Sequence, residues 1–366
     1  MKKLLLGFGA LCAAFSLTAC GKKDDDNKAA NYKLGMGIVV SLESSKTGLA
    51  QVDATVATVV LDANGKIVEC RLDAVQNKAT IADGAATAPT TFKSKMELGS
   101  DYGMGGKPYS PDNNGDGKVL EWDAQAKAFE AYVEGMTAAQ VNAIETKKVT
   151  DESLSSFGYD IAADEALLNA GCTIQITDFI KAVYAACTDE QTTTFKTAKS
   201  FTLGVAATSF VDGNTAATAD AEGSIKMYTD FAASAVVNGK IVASLNDAIQ
   251  PVVKFNTANE ITAKTYTNTK RGLKDGYGMG GKPYSPDNNG DGKVEEWYVQ
   301  SLAFSNYVVG MTADEVANIE TKKVTDESLS SFGYDIAADE ALLNAGCTIQ
   351  ITAIKAVVAK SVNNAR

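Results

Sequence analysis

The chain has 366 residues, with 45 acidic against 34 basic side chains and a formal charge of −11 at pH 7. Such a surface repels phosphate backbones, so nucleic acid is not an expected partner. The chain has no histidine, which excludes Ser-His-Asp and Cys-His catalysis and any histidine-ligated metal site.

Met1-Lys2-Lys3 is a basic start, and Leu4 to Leu17 is an apolar run too short to span a bilayer. Leu17-Thr18-Ala19-Cys20 resembles a bacterial lipobox. It implies a signal peptide over 1–19, lipidation of Cys20, and export to the outer face of the cytoplasmic membrane. Residues 20–32 are charged and polar and read as a flexible tether. No later segment is apolar enough to span a bilayer.

The rest of the chain is a duplication. Glu145–Thr177 equals Glu320–Thr352 at all 33 positions, and Tyr102–Val119 equals Tyr277–Val294. The spacing is that of tandem domains, not a solenoid. Expected bounds are 33–188 and 197–364, with the polar stretch 189–196 as linker.

Each copy starts as β structure. Val52–Leu61 has period-2 patterning, Asp62-Ala63-Asn64-Gly65 makes a turn, and Lys66–Leu72 alternates again. Each copy ends helical. Trp122, Ala126, Phe129 and Val133 share one helix face, and Gly135 suits the position just past its end. Thr137-Ala138-Ala139-Gln140 and Thr312-Ala313-Asp314-Glu315 are capping-box patterns. Thr177 is expected to N-cap a last helix whose stripe is Phe179, Ile180, Val183, Tyr184 and Cys187. These stripes read as core. The fold class is α+β: two tandem homologous domains, each an antiparallel sheet covered by helices.

Six cysteines are present, and Cys12 lies in the leader. Cys172 and Cys347 are repeat equivalents. Cys70 and Cys187 align with Ser244 and Ser361, so both are lost together in copy two. That joint loss points to a Cys70–Cys187 disulfide, which an exported location permits. Two small buried residues are the alternative.

Gly106-Lys107 is not a P-loop, because the spacing and the following Ser or Thr are missing. Asp112, Asn114 and Asp116 stand at positions 1, 3 and 5 of an EF-hand-like calcium loop. Gly117 is at 6, Lys118 would offer its carbonyl at 7, and Asp123 is at 12. Copy two keeps Asp287, Asn289, Asp291 and Gly292 but has Tyr298 at position 12. The same residues also suit an Asn/Gly-rich surface turn.

Two further motifs recur in order. Asn64-Gly65-Lys66-Ile67 and Asn238-Gly239-Lys240-Ile241 lie early, and Ala170-Gly171-Cys172-Thr173 and Ala345-Gly346-Cys347-Thr348 lie before the last helix. This layout resembles the FMN-binding domain of exported bacterial flavoproteins, and is similar to the pheromone-type lipoproteins of Gram-positive bacteria. The resemblance implies FMN joined through a phosphodiester to Thr173 and Thr348 by a flavin transferase. It also implies electron exchange with membrane redox proteins. Gly171, Cys172, Gly346 and Cys347 would form the turn about the phosphate, and Tyr102, Trp122 or Tyr159 would stack on the ring. Ala170 and Ala345 replace the family's leading Ser or Thr, and cysteine replaces its alanine. The electron carrier is therefore set against a cofactor-free surface binding lipoprotein, with or without a structural calcium loop. No acid/base pair stands out for a hydrolase.

Overall fold

A computed structural model describes residues 29–112, 117–287, 290 and 292–366. The leader, Cys20 and most of the tether lie outside the described residues.

Copy one contributes β1 (Ala30–Ser41), β2 (Leu49–Leu61), β3 (Ile67–Ala82), β4 (Ala85–Thr87) and β5 (Thr91–Phe92). Then come α1 (Lys95–Leu98), α2 (Trp122–Val133) and α3 (Ala138–Asn142). The ribbon β6 (Thr146–Lys148) and β7 (Asp160–Ala162), α4 (Glu165–Asn169) and α5 (Thr177–Cys187) complete it. Copy two repeats the plan with β8 (Thr193–Thr197), β9 (Thr202–Thr215), β10 (Gly223–Val237), β11 (Lys240–Ile249), β12 (Val252–Phe255) and β13 (Ile261–Thr265). Its second half holds α6 (Lys270–Leu273), α7 (Trp297–Tyr307), α8 (Ala313–Ala317), β14 (Thr321–Lys323), β15 (Asp335–Ala337), α9 (Glu340–Asn344) and α10 (Thr352–Asn363). The α+β class holds. Among the described residues no helix is long and apolar enough to cross a membrane.

The β2–β3 hairpin turns where Asn-Gly stands. Asp62 Oδ1 accepts the Asn64 and Lys66 N–H groups at 2.8 and 2.9 Å, and Gly65 takes φ +72°. The expected face of α2 (Trp122, Ala126, Phe129, Val133) is buried, and Gly135 lies beyond it at φ +81°. Both capping boxes form, on Thr137 with Gln140 and on Thr312 with Glu315. Thr177 is not a cap. Ile176 holds the N-cap position of α5 with no side-chain bond, and Thr177 opens the helix.

The two copies share a core. Sheet one runs β4-β3-β2-β1-β8, and sheet two runs β13-β12-β10-β9-β5 with β11 also on β10. The sheets exchange edge strands. β5 of copy one pairs with β9, and β8 pairs with β1. Strand alternation then separates three cores. On β2, Ala57, Val59 and Leu61 face the copy-one helices, while Val52, Ala54, Val56 and Val60 face copy two. On β10, Phe231, Ala233 and Ala235 meet them in the middle, while Ala232 faces the copy-two helices. Both sheets are apolar on both faces because each is covered on both. Each fully buried Phe or Leu there contributes about 1.5–3 kcal/mol.

The expected linker is built into this body. Residues 193–197 are β8, and Asp189, largely covered, pairs with the buried Arg271 at 3.1 Å. Residues 30–32, expected in the tether, already belong to β1.

The last helices lie directly on strand glycines, and this contact sets the repeat register. A Cβ on Gly35 would overlap the carbonyl oxygen of Ala186, and one on Gly204 would overlap that of Ser361. Ser361 therefore matches Ala186, not Cys187, and the joint loss of Cys70 and Cys187 no longer marks them as a pair. The two lie in the same core, but both are free thiols. Burial pushes Cys70 well up, with Glu130 adding to it, and pushes Cys187 to about 12. Both are thus held as unreactive thiols.

Candidate functional site

The Gly-Cys-Thr turn is a buried joint. Gly171 takes φ +92°, which favours glycine there. Cys172 is fully buried, and burial pushes its thiol to about 12. Thr173 is 4% exposed, and its hydroxyl lies 2.5 Å from Ser110 Oγ. Gln125 Oε1 accepts the N–H groups of Thr173 and Ile174 at 2.8 and 3.0 Å. Copy two repeats this: Thr348 with Ser285 at 2.5 Å, and Gln300 with the Thr348 and Ile349 N–H groups at 2.7 and 3.0 Å. The cavity touching Thr173 and Gly171 is about 10 Å³. A phosphodiester needs an open hydroxyl and room for four oxygens, so covalently attached FMN does not fit Thr173 or Thr348 as they stand. Gly171, Cys172, Gly346 and Cys347 shape this joint and line neither of the two larger clefts beside it.

In copy one the joint positions such a cleft. Ile174 and Gln175 leave the turn into its wall, and Tyr109 enters from the segment that Ser110 anchors. Glu121 accepts the Met104 and Gly105 N–H groups at 3.0 and 2.7 Å, which holds the loop carrying Tyr102 and Met104. Ser94 caps α1, and Lys95 in its first turn lies over the rings of Tyr102 and Trp122 at 4.8 and 5.4 Å. Tyr159 meets Tyr109 edge-on at 6.2 Å. The cleft is about 330 Å³.

Copy two builds the same cleft, at about 580 Å³. Tyr277, Met279, Tyr284, Trp297, Tyr334, Ile349 and Gln350 repeat the lining. Lys270 lies over Tyr228, Tyr277 and Trp297 at 4.8, 5.0 and 5.3 Å. The strand wall differs. Thr55, opposite Ala74, is replaced by Asp230, opposite Ala248. Asp230 is 2% exposed, and burial raises its carboxyl to about 7 against the pull of Lys270. Burial lowers Lys270 to about 8 against the pull of Asp230.

Tyr102, Trp122 and Tyr159, expected beside a flavin ring, do line the copy-one cleft. The lysines, Tyr109, Tyr284 and Asp230 belong to no motif that marks them as cleft residues. A repeated lysine within otherwise divergent stretches (Ser94-Lys95-Met96 against Thr269-Lys270-Arg271) is the available signal in the sequence.

Of the expected calcium ligands, Asn114 and Asp116 lie outside the described residues. Asp112 accepts the Gly117 N–H at 2.5 Å, and Asp287 closes the matching turn on Gly290 and Gly292 at 2.9 and 2.6 Å. Asp123 lies in the first turn of α2 and pairs with Lys127 at 2.9 Å. Lys118 borders the small cavity beside Thr173. Among the described residues no group of three acidic or cysteine side chains is placed to hold a metal.

No family model, no curated protein and no solved structure matches this chain.

Proposed function

We propose that the protein is an exported, membrane-tethered binding protein that holds a small ring-shaped ligand in each of two aromatic clefts. One observation carries this reading. Lysine, three tyrosines, methionine, tryptophan, isoleucine and glutamine line a cleft in both copies, above strand walls that differ. A concave site with aromatic faces and a few convergent polar groups is the usual form of a small-molecule site. The shared lining supplies stacking area, and the different walls give each cleft its own selectivity. The lipobox-like start supplies the tether.

A second reading keeps the flavin without the covalent bond. Tyr102 and Tyr159, with the buried Trp122 beside them, would flank an isoalloxazine ring in the copy-one cleft. Bound there, FMN would supply one- and two-electron chemistry, and the rings would shield it from water.

The two tryptophans, Trp122 and Trp297, report one cleft each. Trp122→Phe and Trp297→Phe proteins are titrated with disaccharides, FMN, riboflavin and choline while indole emission is followed. A saturable change in either protein supports binding, and saturation by FMN with a shifted flavin band supports the second reading. Flat titrations in both proteins would falsify the binding function.

A further inference from the structure

We propose that the copy-two cleft is a saccharide site, in which Asp230 Oδ2 accepts a ligand hydroxyl and Tyr284 and Tyr334 flank the sugar ring beside Trp297. This rests on the binding reading above and names its ligand class.

Asp230 lines the cleft at 2% exposure; hydrogen bonding from Tyr228 favours its charged form, and its Oδ2 has no hydrogen-bond partner among the described residues. A buried acceptor left without a donor costs about 1–3 kcal/mol, more when charged. A ligand that brings a donor removes that cost, so the cleft favours a molecule with O–H or N–H groups.

Charge narrows the class. Asp212 at the cleft pairs with Lys226 at 3.1 Å, and Lys270 offsets Asp230. No cation is left over among the described lining residues for a phosphate or carboxylate, and an anion would meet the unpartnered oxygen. A cationic ligand fares no better. The Lys270 ammonium already lies over the rings of Tyr228, Tyr277 and Trp297, where a second cation would compete with it. A neutral ligand remains, with apolar ring faces for Tyr284 and Tyr334, which Lys270 does not cover, and hydroxyls for Asp230. Gln250 and Gln350 add amide groups to the same lining. A sugar ring has this combination. Copy one has Thr55 in place of Asp230, so its cleft lacks this buried carboxylate, and the acids that line it are Asp53 and Asp178.

The test uses the Trp122→Phe protein, in which Trp297 is the one indole. It is titrated with maltose, cellobiose and N,N′-diacetylchitobiose, with FMN and choline as charged controls. At least one disaccharide is expected to give a saturable emission change. Asp230→Thr is expected to weaken that binding at least tenfold. Threonine already occupies the equivalent strand position in copy one, so the fold accommodates it, and an unchanged circular dichroism spectrum checks this. Saturation by FMN or choline but by no disaccharide overturns the saccharide class and leaves the binding function standing. Disaccharide binding that ignores Asp230→Thr overturns the role of Asp230. A flat response of Trp297 to every probe overturns this inference, and a flat response of Trp122 in the Trp297→Phe protein as well sinks the binding function.

Discussion

Arg366 in copy two closes on Glu130 in copy one, with its Nη2 2.9 and 2.8 Å from the two carboxylate oxygens. Glu130 is 2% exposed, and its Oε1 also accepts the Leu72 N–H at 2.8 Å. Burial raises the Glu130 carboxyl and Arg366 opposes that rise. The pair ties α2 to the segment after α10, so one copy completes the other's electrostatics. Arg366→Ala is expected to destabilise the whole protein by about 3 kcal/mol, because it strands a buried charge. Glu130→Gln in the same chain should recover part of that loss. Urea unfolding of the parent, single and double variants measures it. Equal midpoints for parent and Arg366→Ala would show the pair to be an unimportant surface contact.

The helix–strand contact at Gly204 has no spare room. Gly204→Ala must push α10 off β9 or shift the strand, at about 1–3 kcal/mol. Gly35→Ala should do the same to α5 on β1. Thermal unfolding of each variant gives the cost, and unchanged melting would mean that the helices do not lie on the glycines.

Asp73 gives stability a pH dependence. It is 1% exposed, and burial raises its carboxyl to about 6, although the Ala74 and Met96 N–H groups donate to it. The folded chain thus holds this proton more tightly than the unfolded chain. Its contribution is greatest below the ordinary value of 3.8 and is lost as pH rises to about 6. The loss is about 3 kcal/mol. Asp73→Asn should therefore gain on the parent in urea midpoint between pH 4 and pH 7. A constant gap across that range refutes the assignment.

Cys70 and Cys187 should both carry a maleimide label after unfolding without reductant, and neither should before unfolding. Peptide mapping decides this. A cross-linked Cys70–Cys187 peptide pair would instead show that the exported protein closes the bond.

Thr173 and Thr348 are expected to be structural. Co-expression with a flavin transferase should leave the intact mass without added FMN. Thr173→Val should cost about 1–3 kcal/mol, because Ser110 loses its buried partner. A mass gain of one FMN, lost on Thr173→Val, would restore the covalent flavin.

Local patterns in the sequence were enough for much of the local structure, though not for the start of α5, where Ile176 and not Thr177 holds the N-cap position. Asn64-Gly65 marked the hairpin, the 3.6-residue stripe marked α2, and Thr137 and Thr312 marked their caps. Each of these depends on residues a few positions apart. The repeat itself was legible as identity. The joining of the copies was not, because the nearly continuous apolar run at the end of β2 says that both strand faces are buried without saying what covers them. The exchange of β5 and β8 and the Arg366–Glu130 pair depend on contacts between residues far apart in the chain. The Gly-Cys-Thr turn shows the same limit. Its spacing suited a phosphate, but Ser110 and Gln125, brought in from other segments, already occupy its hydroxyl and N–H groups. The sequence alone determined the β2–β3 hairpin, α2, the two capping boxes, the duplication and the α+β class, since short-range sterics and hydrogen bonding suffice for those, whereas β8 was read as linker. Only the tertiary structure decided which side chains share a cleft, because Lys270, Trp297 and Asp230 meet through packing of helix against sheet, which no local pattern encodes.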